Sequence, residues 1–277
     1  MPRTEGATTV PAAPLRPFID RYVGYRLTGF APGLHRGLPS RHMTLIVSIG
    51  PSIDVVAQTD RTQAPASYGC VVGGLQASPA LISHSGHQEG VAIELTPLGS
   101  RTLFGMPARE LWNTSLECAD VTGTPGRELW ERLQGTEDWG QRFAVCDQVL
   151  TRLVGGDGVA GELRHAWQGL VRSGGTVPIR SLAEDVGWSR QHLARRFTGE
   201  FGLGPKLAAR VVRFERARRM LQSTPSFVTI AQVAASCGYY DQAHLDRDFV
   251  ELAGCSPTAW LADELPFVQD DAGVGPG

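Results

Sequence analysis

Along the chain the apolar positions change their period once. From about Arg16 to Leu95 they come in short runs, rich in β-branched residues and closed by Gly, Pro or Ser. Met43–Ile49 (MTLIVSI) stops at Gly50-Pro51, and Ile53–Ala57, Tyr68–Val72, Ala80–Ser83 and Val91–Leu95 repeat the pattern. Short strands at this spacing predict a small β-sandwich or an open barrel. Residues 1–14, rich in Pro, Ala and Thr, read as a flexible lead.

After Pro97 the period becomes helical. Leu98–Phe104 and Pro107–Trp112 read as short helices, and Pro125–Leu133 carries proline near its first turn. Asp138–Val154 sets Phe143, Cys146, Leu150 and Leu153 on one face. Gly155-Gly156-Asp157-Gly158 then breaks the chain, and the remainder is helical: Val159–Arg172, Ile179–Val186, Ser189–Glu200, Lys206–Gln222, Thr229–Ser236, Asp241–Leu252 and Pro257–Asp263. The expected architecture is α+β. A β-rich domain with trailing helices spans 15–155, an all-α domain with two helix-turn-helix units spans 159–265, and 266–277 form a disordered tail.

A single pattern occurs twice in the helical region. Ile179, Leu182, Ala183 and Val186 line one helix face, Gly187 supplies a sharp turn, and Ser189 is placed to cap the next helix. There Leu193 and Phe197 face inward, while Arg190, Gln191, Ala194 and Arg195 occupy the opposite face. Further on, Ile230, Val233 and Ala234 are followed by Gly238, by Asp241 in the cap position, and by Leu245 and Phe249. The two segments read SRQHLARRF and DQAHLDRDF. An exposed helix face bearing Arg and Gln in its first turns suits the major groove, where Arg pairs with guanine and Gln with adenine. A connecting helix of about 17 residues is about 25 Å long, a fitting strut between reading helices about 34 Å apart.

The block from about Val159 to Leu265 resembles the DNA-binding domain of the AraC/XylS family of transcriptional regulators. The resemblance rests on SLAEDVGWSRQHLARRF, on Gly202 and Pro205, on RFERARRML, and on IAQVAASCGYYDQAHLDRDFVELAGCSP. It implies a sequence-specific factor, activator or repressor, that grips double-stranded DNA through Ser189, Arg190, Gln191, Ala194 and Arg195 in the first unit. In the second the readers would be Gln242, Ala243, Asp246 and Arg247. The family often continues Ser-Pro-x-x-Tyr-Arg, where this chain has Ser256-Pro257-Thr258-Ala259-Trp260-Leu261. Trp260 keeps the aromatic core position, and the final arginine is lost. The segments GLPSRHMTLIVSIG and ELTPLG resemble a sensor-type region found ahead of this block in actinobacterial regulators. The implied partners are DNA, a small-molecule effector, RNA polymerase and a second copy of the chain.

Composition changes this picture only by its distribution. The net charge is −2, which alone argues against a uniformly basic nucleic-acid binder. Yet Arg180–Arg219 hold ten basic and four acidic residues, whereas Met220–Pro266 hold one basic and six acidic ones. The first unit and the connecting helix would thus carry the cationic footprint, with Asp246 and Asp248 repelling phosphates in the second. The first unit is expected to dominate affinity and the second to tune specificity.

The five scattered cysteines, Cys70, Cys118, Cys146, Cys237 and Cys255, read as free thiols of a cytoplasmic protein, and no run is long and apolar enough to span a membrane. Gly156–Gly161 matches GxGxxG but follows a helical pattern instead of a strand, so it reads as a linker. His84 and His87 lie in a turn-like HSGHQEG and, with His35 and His42, read as surface or pocket histidines instead of metal ligands. No catalytic or cofactor motif is expected. An enzymatic alternative, DNA-alkylation repair on a similar helical block, would need an activated or zinc-held cysteine cluster, and the cysteines lack that spacing.

Overall fold

The computed structural model describes residues 2–223 and 228–263. The expected disordered tail, 266–277, lies outside the described residues. Ten strands fill the N-terminal region: β1 (Arg3–Thr9), β2 (Ile19–Thr28), β3 (Gly33–Gly37), β4 (Met43–Ser48), β5 (Ile53–Ala57), β6 (Ala66–Tyr68), β7 (Cys70–Gly73), β8 (Ala80–His84), β9 (Gln88–Leu95) and β10 (Ser115–Glu117). They form two antiparallel sheets. One is six-stranded in the order β1-β2-β9-β4-β7-β10, and the other is four-stranded in the order β3-β8-β5-β6.

Side-chain alternation in β4 explains the layering. Met43, Leu45 and Val47 point to a core shared with helices, while Ile46 points to the four-stranded sheet and packs on Ile53, Val55, Tyr68 and Ile82. The helix layer contains α1 (Ser100–Phe104), α2 (Cys118–Thr122), α3 (Thr124–Gln134) and α4 (Trp139–Thr151), with a 3-10 turn at Ala108–Leu111. Leu129, Leu133, Phe143 and Val149 press onto the six-stranded sheet. The result is sheet, sheet, helices.

Two sequence expectations are corrected here. The lead is not loose: Arg3–Thr9 pair in register with β2, from Arg3 opposite Thr28 to Thr9 opposite Tyr22. Its polar sequence hides this, because an edge strand needs backbone partners more than an apolar face. The run Tyr68–Val72 is two strands, not one. The chain changes sheets at Gly69, where a Cβ would come within 2.8 Å of Trp130 Nε1.

The C-terminal region holds α5 (Gly161–Arg172), α6 (Ile179–Asp185), α7 (Arg190–Phe201), α8 (Pro205–Ser223), α9 (Ile230–Ser236), α10 (Gln242–Ala253) and α11 (Pro257–Asp263). Its packing does not follow the chain break at 155–158. One continuous buried cluster runs from Leu15 through the six-stranded sheet into Trp167, Leu182, Leu193, Phe197 and Phe201. A second cluster gathers Val211, Phe214, Val233, Leu245, Phe249 and Trp260 around α8–α11. The first helix-turn-helix unit therefore shares the core of the β-rich domain, and the second has a separate core that Leu38 of the β-rich domain joins.

Specific contacts fix this arrangement. Arg101 Nε donates to Glu200 of α7 at 2.8 Å. The Arg41 backbone N–H donates to Glu215 of α8 at 2.9 Å, and the Arg41 guanidinium lies 3.6 Å from the same carboxylate. His42 adds Nε2 to Asp20 at 2.7 Å and Nδ1 to Glu94 at 3.7 Å and Glu215 at 3.9 Å. Arg219 closes the cluster at 2.8 Å from Glu215. Burial by itself would raise the Glu215 carboxyl, but the charges of His42, Arg41 and Arg219 outweigh it and hold the group below its usual range.

Candidate nucleic-acid interface

Both helix-turn-helix units are built by the same local physics. In the first, α6 ends and Gly187 enters left-handed space at φ +69°. The Trp188 N–H turns back to the Ala183 carbonyl at 2.8 Å, and Ser189 caps α7 by accepting from the His192 N–H at 3.1 Å. The second unit repeats each step. Gly238 has φ +77°, the Tyr239 N–H reaches Ala234 O at 3.0 Å, and Asp241 accepts from the His244 N–H at 2.7 Å. Even the ring contacts match: Trp188 meets His192 edge-on at 4.7 Å, and Tyr239 meets His244 at 5.1 Å. The second turn is one residue longer. The extra residue is Tyr240, which stands 93% exposed just before the α10 cap.

The interior face of the second helix in each unit is anchored. Leu193 and Phe197 of α7 and Leu245 and Phe249 of α10 are fully buried. Trp260 fills the aromatic position of the second core, 5.8 Å from Phe249. On the outer face of α7, Arg190, Gln191 and Arg195 are exposed and Ala194 is half-buried. On α10, Gln242, Ala243 and Arg247 are exposed and Asp246 is half-buried. Ser189 stands at the mouth of α7 with its oxygen engaged in the cap. Arg196, which the sequence pattern did not single out, is exposed beside Arg195. Arg190, Arg195 and Arg196 have no ion pair among the described residues, so their charge faces outward. Arg247 lies within electrostatic reach of Glu251 and helps to lower that carboxyl, after Arg210, whose hydrogen bond acts most.

The charge expectation is corrected in two places. Asp248 does not face solvent: it is 2% exposed and takes two hydrogen bonds from Arg210 of α8, at 2.7 and 3.1 Å. Several arginines of α8 are likewise spent internally. Arg210 binds Asp248, Arg213 sits 5.0 Å over the Tyr239 ring, Arg218 is 2% exposed, and Arg219 binds Glu215. Counting charges along α8 therefore overstates what it presents to its surroundings. The outward cations concentrate on α7.

Elsewhere, Cys70, Cys118, Cys146 and Cys237 are buried free thiols and Cys255 is half-buried. Among the described residues no group of three or more His, Cys, Asp or Glu is placed to hold a metal ion, and no helix is long and apolar enough to cross a membrane. His84 ends β8 and is pushed down by burial and by neighbouring His35.

Comparison with known proteins agrees with this geometry. Residues 182–263 match a helix-turn-helix domain, and residues 7–117 match a domain of unknown function (DUF6597). The HTH-type transcriptional regulator Rv1931c of Mycobacterium tuberculosis is 35% identical over 86 residues, covering 31% of this chain and 32% of that protein. The uncharacterized HTH-type transcriptional regulator YbfI of Bacillus subtilis is 32% identical over 69 residues, covering 25% of this chain and 24% of that protein. The chain thus spans a third or less of the length of these two relatives. Across both regions the fold is similar to that of apo ToxT of Vibrio cholerae, with a TM-score of 0.54 at 12% identity, covering 87% of this chain and 97% of that one. ToxT bound to (E)-4-(8-methylnaphthalen-1-yl)but-3-enoic acid is similar at a TM-score of 0.50 and 12% identity, covering 94% of this chain and 98% of that one. The chain thus carries, over residues 182–263, a helix-turn-helix domain similar to that of HTH-type transcriptional regulators.

Proposed function

We propose that this chain is a sequence-specific, double-stranded-DNA-binding transcription factor of the cytoplasm. It lays α7 and α10 into successive turns of the major groove, and its β-rich domain senses a small molecule or pairs two copies. One observation carries this: two units of the same design each turn a largely exposed face outward, with Ser189, Arg190, Gln191, Ala194 and Arg195 on one and Gln242, Ala243, Asp246 and Arg247 on the other. The strut α8 has 19 residues and a length of about 28 Å, in keeping with reading helices about 34 Å apart.

The sensory role is supported by the shared core, since a domain that buries its apolar face against α7 can move it. It is also supported by the organic acid bound to ToxT. Contact with RNA polymerase completes the reading of the chain as a regulator.

Footprinting on the gene's own upstream region, followed by selection from genomic fragments at low salt, tests the proposal. A protected site spanning two adjacent major-groove turns is expected. Arg195→Ala should relax specificity at one base position at a cost of about 1–3 kcal/mol, and Arg247→Ala should cost less. Absence of any selected fragment would overturn the function, and equal losses at Arg195 and Arg247 would overturn the division of labour.

A further inference from the structure

Two buried thiols meet at the edge of the six-stranded sheet. β7 and β10 pair antiparallel, with Gly73 opposite Ser115, Val72 opposite Leu116 and Val71 opposite Glu117. One step further along this register, Cys70 stands opposite Cys118. The Gly69 and Cys70 N–H groups fasten the approach by donating to the Glu117 carboxylate at 3.1 and 2.9 Å. The Cys70 S–H donates to the Cys118 sulfur, and Thr122 Oγ1 lies 3.6 Å from that sulfur. Opposed residues of an antiparallel pair have Cα atoms about 4.5–5.5 Å apart, within the range of about 4.4–6.8 Å that a disulfide spans. Both cysteines are free thiols here.

We infer that Cys70 and Cys118 are a site of reversible oxidation, where a hydroperoxide converts them to an intrachain disulfide that ties β7 to the start of α2 and closes β10 against the sheet. The two thiols are chemically unequal. The hydrogen bond from Cys70 brings the Cys118 thiol below its ordinary value despite burial, with Thr122 assisting. Donating that bond, together with burial, pushes Cys70 well up. Cys118 is therefore the attacking thiolate. Its sulfur takes one oxygen of the peroxide as the O–O bond breaks, which leaves a sulfenic acid and hydroxide. The proton lost by Cys118 neutralises the hydroxide. The Cys70 sulfur then attacks the sulfenic sulfur, the S–S bond forms, and the hydroxyl leaves as water with the Cys70 proton. The two thiols give up two electrons and two protons, and hydrogen peroxide becomes two waters.

Access comes from the strand itself. Cys70 and Cys118 are buried, but β10 is an edge strand of three half-buried residues, paired on one side only. Such a strand opens locally without global unfolding, and hydrogen peroxide is hardly larger than water. Cys146 of α4 acts on Cys70 only through its charge, and burial and Asp147 push it up, so it stays a thiol.

The lock reaches the first reading unit. Just before β10 the chain leaves the turn at Ala108–Leu111 and passes Trp112, where a Cβ on Gly202, at the end of α7, would come within 2.6 Å of Trp112 Cβ. The Asn113 N–H donates to Leu75 O at 3.0 Å and the Gly74 N–H to Thr114 O at 3.1 Å, so this support of α7 is held to the segment after β7. A disulfide at its far end restrains it. This consequence, unlike the disulfide, rests on the proposed DNA-binding function.

Treatment of the reduced full chain with hydrogen peroxide, then alkylation with N-ethylmaleimide in denaturant and peptide mapping without reductant, tests the site. A peptide joining Cys70 to Cys118 within one chain is expected, with Cys146 still alkylated, and dithiothreitol should return both thiols. Cys70→Ala and Cys118→Ala should each abolish the joined peptide, whereas Cys146→Ala should leave it. The wild-type map decides the matter by itself if an alanine variant fails to fold. Alkylation of both Cys70 and Cys118 at every peroxide concentration, or linkage only to Cys146 or between chains, would overturn the site. Oxidation should slow amide exchange across Ser115–Glu117 and shift operator affinity about fivefold or more. Unslowed exchange would overturn the closing of β10, and unchanged affinity would overturn the coupling to α7. A chain that forms the disulfide but selects no DNA loses the regulator and keeps the redox site.

Discussion

Asp246 and Asp248 stand two residues apart in α10 and do opposite things. Asp246 is half-buried on the outer face, whereas Asp248 is sealed beneath Arg210. Asp248→Ala removes one member of a buried pair and leaves Arg210 only its exposed partner Glu251, so it should lower stability by about 2–3 kcal/mol, seen as a lower melting temperature. Asp246→Asn should leave melting unchanged and alter the preferred operator sequence. The sequence could not separate the two, since both are charges beside a reading helix. What separates them is the helical turn: Asp248 precedes the core residue Phe249, on the side that faces α8. By contrast, Leu193, Phe197, Leu245 and Phe249 were legible as core from spacing alone.

At the scale of elements, the two tight turns make a controlled pair. A Cβ at Gly187 would meet nothing within 4 Å, whereas at Gly238 it would meet Thr176 Cγ2 at 2.7 Å. Both have positive φ, so Gly187→Ala should cost about 1–2 kcal/mol of backbone strain. Gly238→Ala should cost about 1 kcal/mol more from overpacking, read as a larger drop in the denaturation midpoint. All the helices but α2, and six of the ten strands, were legible because period and turn residues agree. The strands β1, β2, β3 and β10 were not. RTEGATT and GLHRG carry no apolar alternation, and each is held by backbone pairing, β1 to the next strand β2 and β3 to the distant β8. The switch of sheets at Gly69 was hidden within a run of strand-forming residues.

For the whole molecule, the decisive feature is the charge cluster joining the β-rich domain to α8. Asp20 is held at about 2: burial alone would raise it, but the hydrogen bond and charge of His42 and the charge of Arg41 prevail. The folded chain then binds fewer protons than the unfolded one between the ordinary value of 3.8 and about 2. Stability contributed by Asp20 is full above that window and is lost as pH falls through it. Glu215, also depressed, loses its contribution in the same direction, while Glu94, Arg41, His42 and Arg219 face the same cluster. Urea titrations should show the wild-type midpoint falling across this window, and Asp20→Asn should flatten the fall. Nothing in the sequence placed these residues together, because Asp20, His42, Glu94 and Glu215 come from separate segments and only the shared core aligns them.

Tyr240 has a practical consequence. The chain has five tyrosines. Tyr22, Tyr25, Tyr68 and Tyr239 are buried, while Tyr240 is 93% exposed at the mouth of α10. Electrophilic reagents that attack accessible phenols, such as tetranitromethane, should therefore nitrate a single position. The nitrophenol would act as a coloured reporter on the second reading helix. Bound operator should slow its formation, whereas a DNA fragment too short to reach the second unit should leave it unprotected.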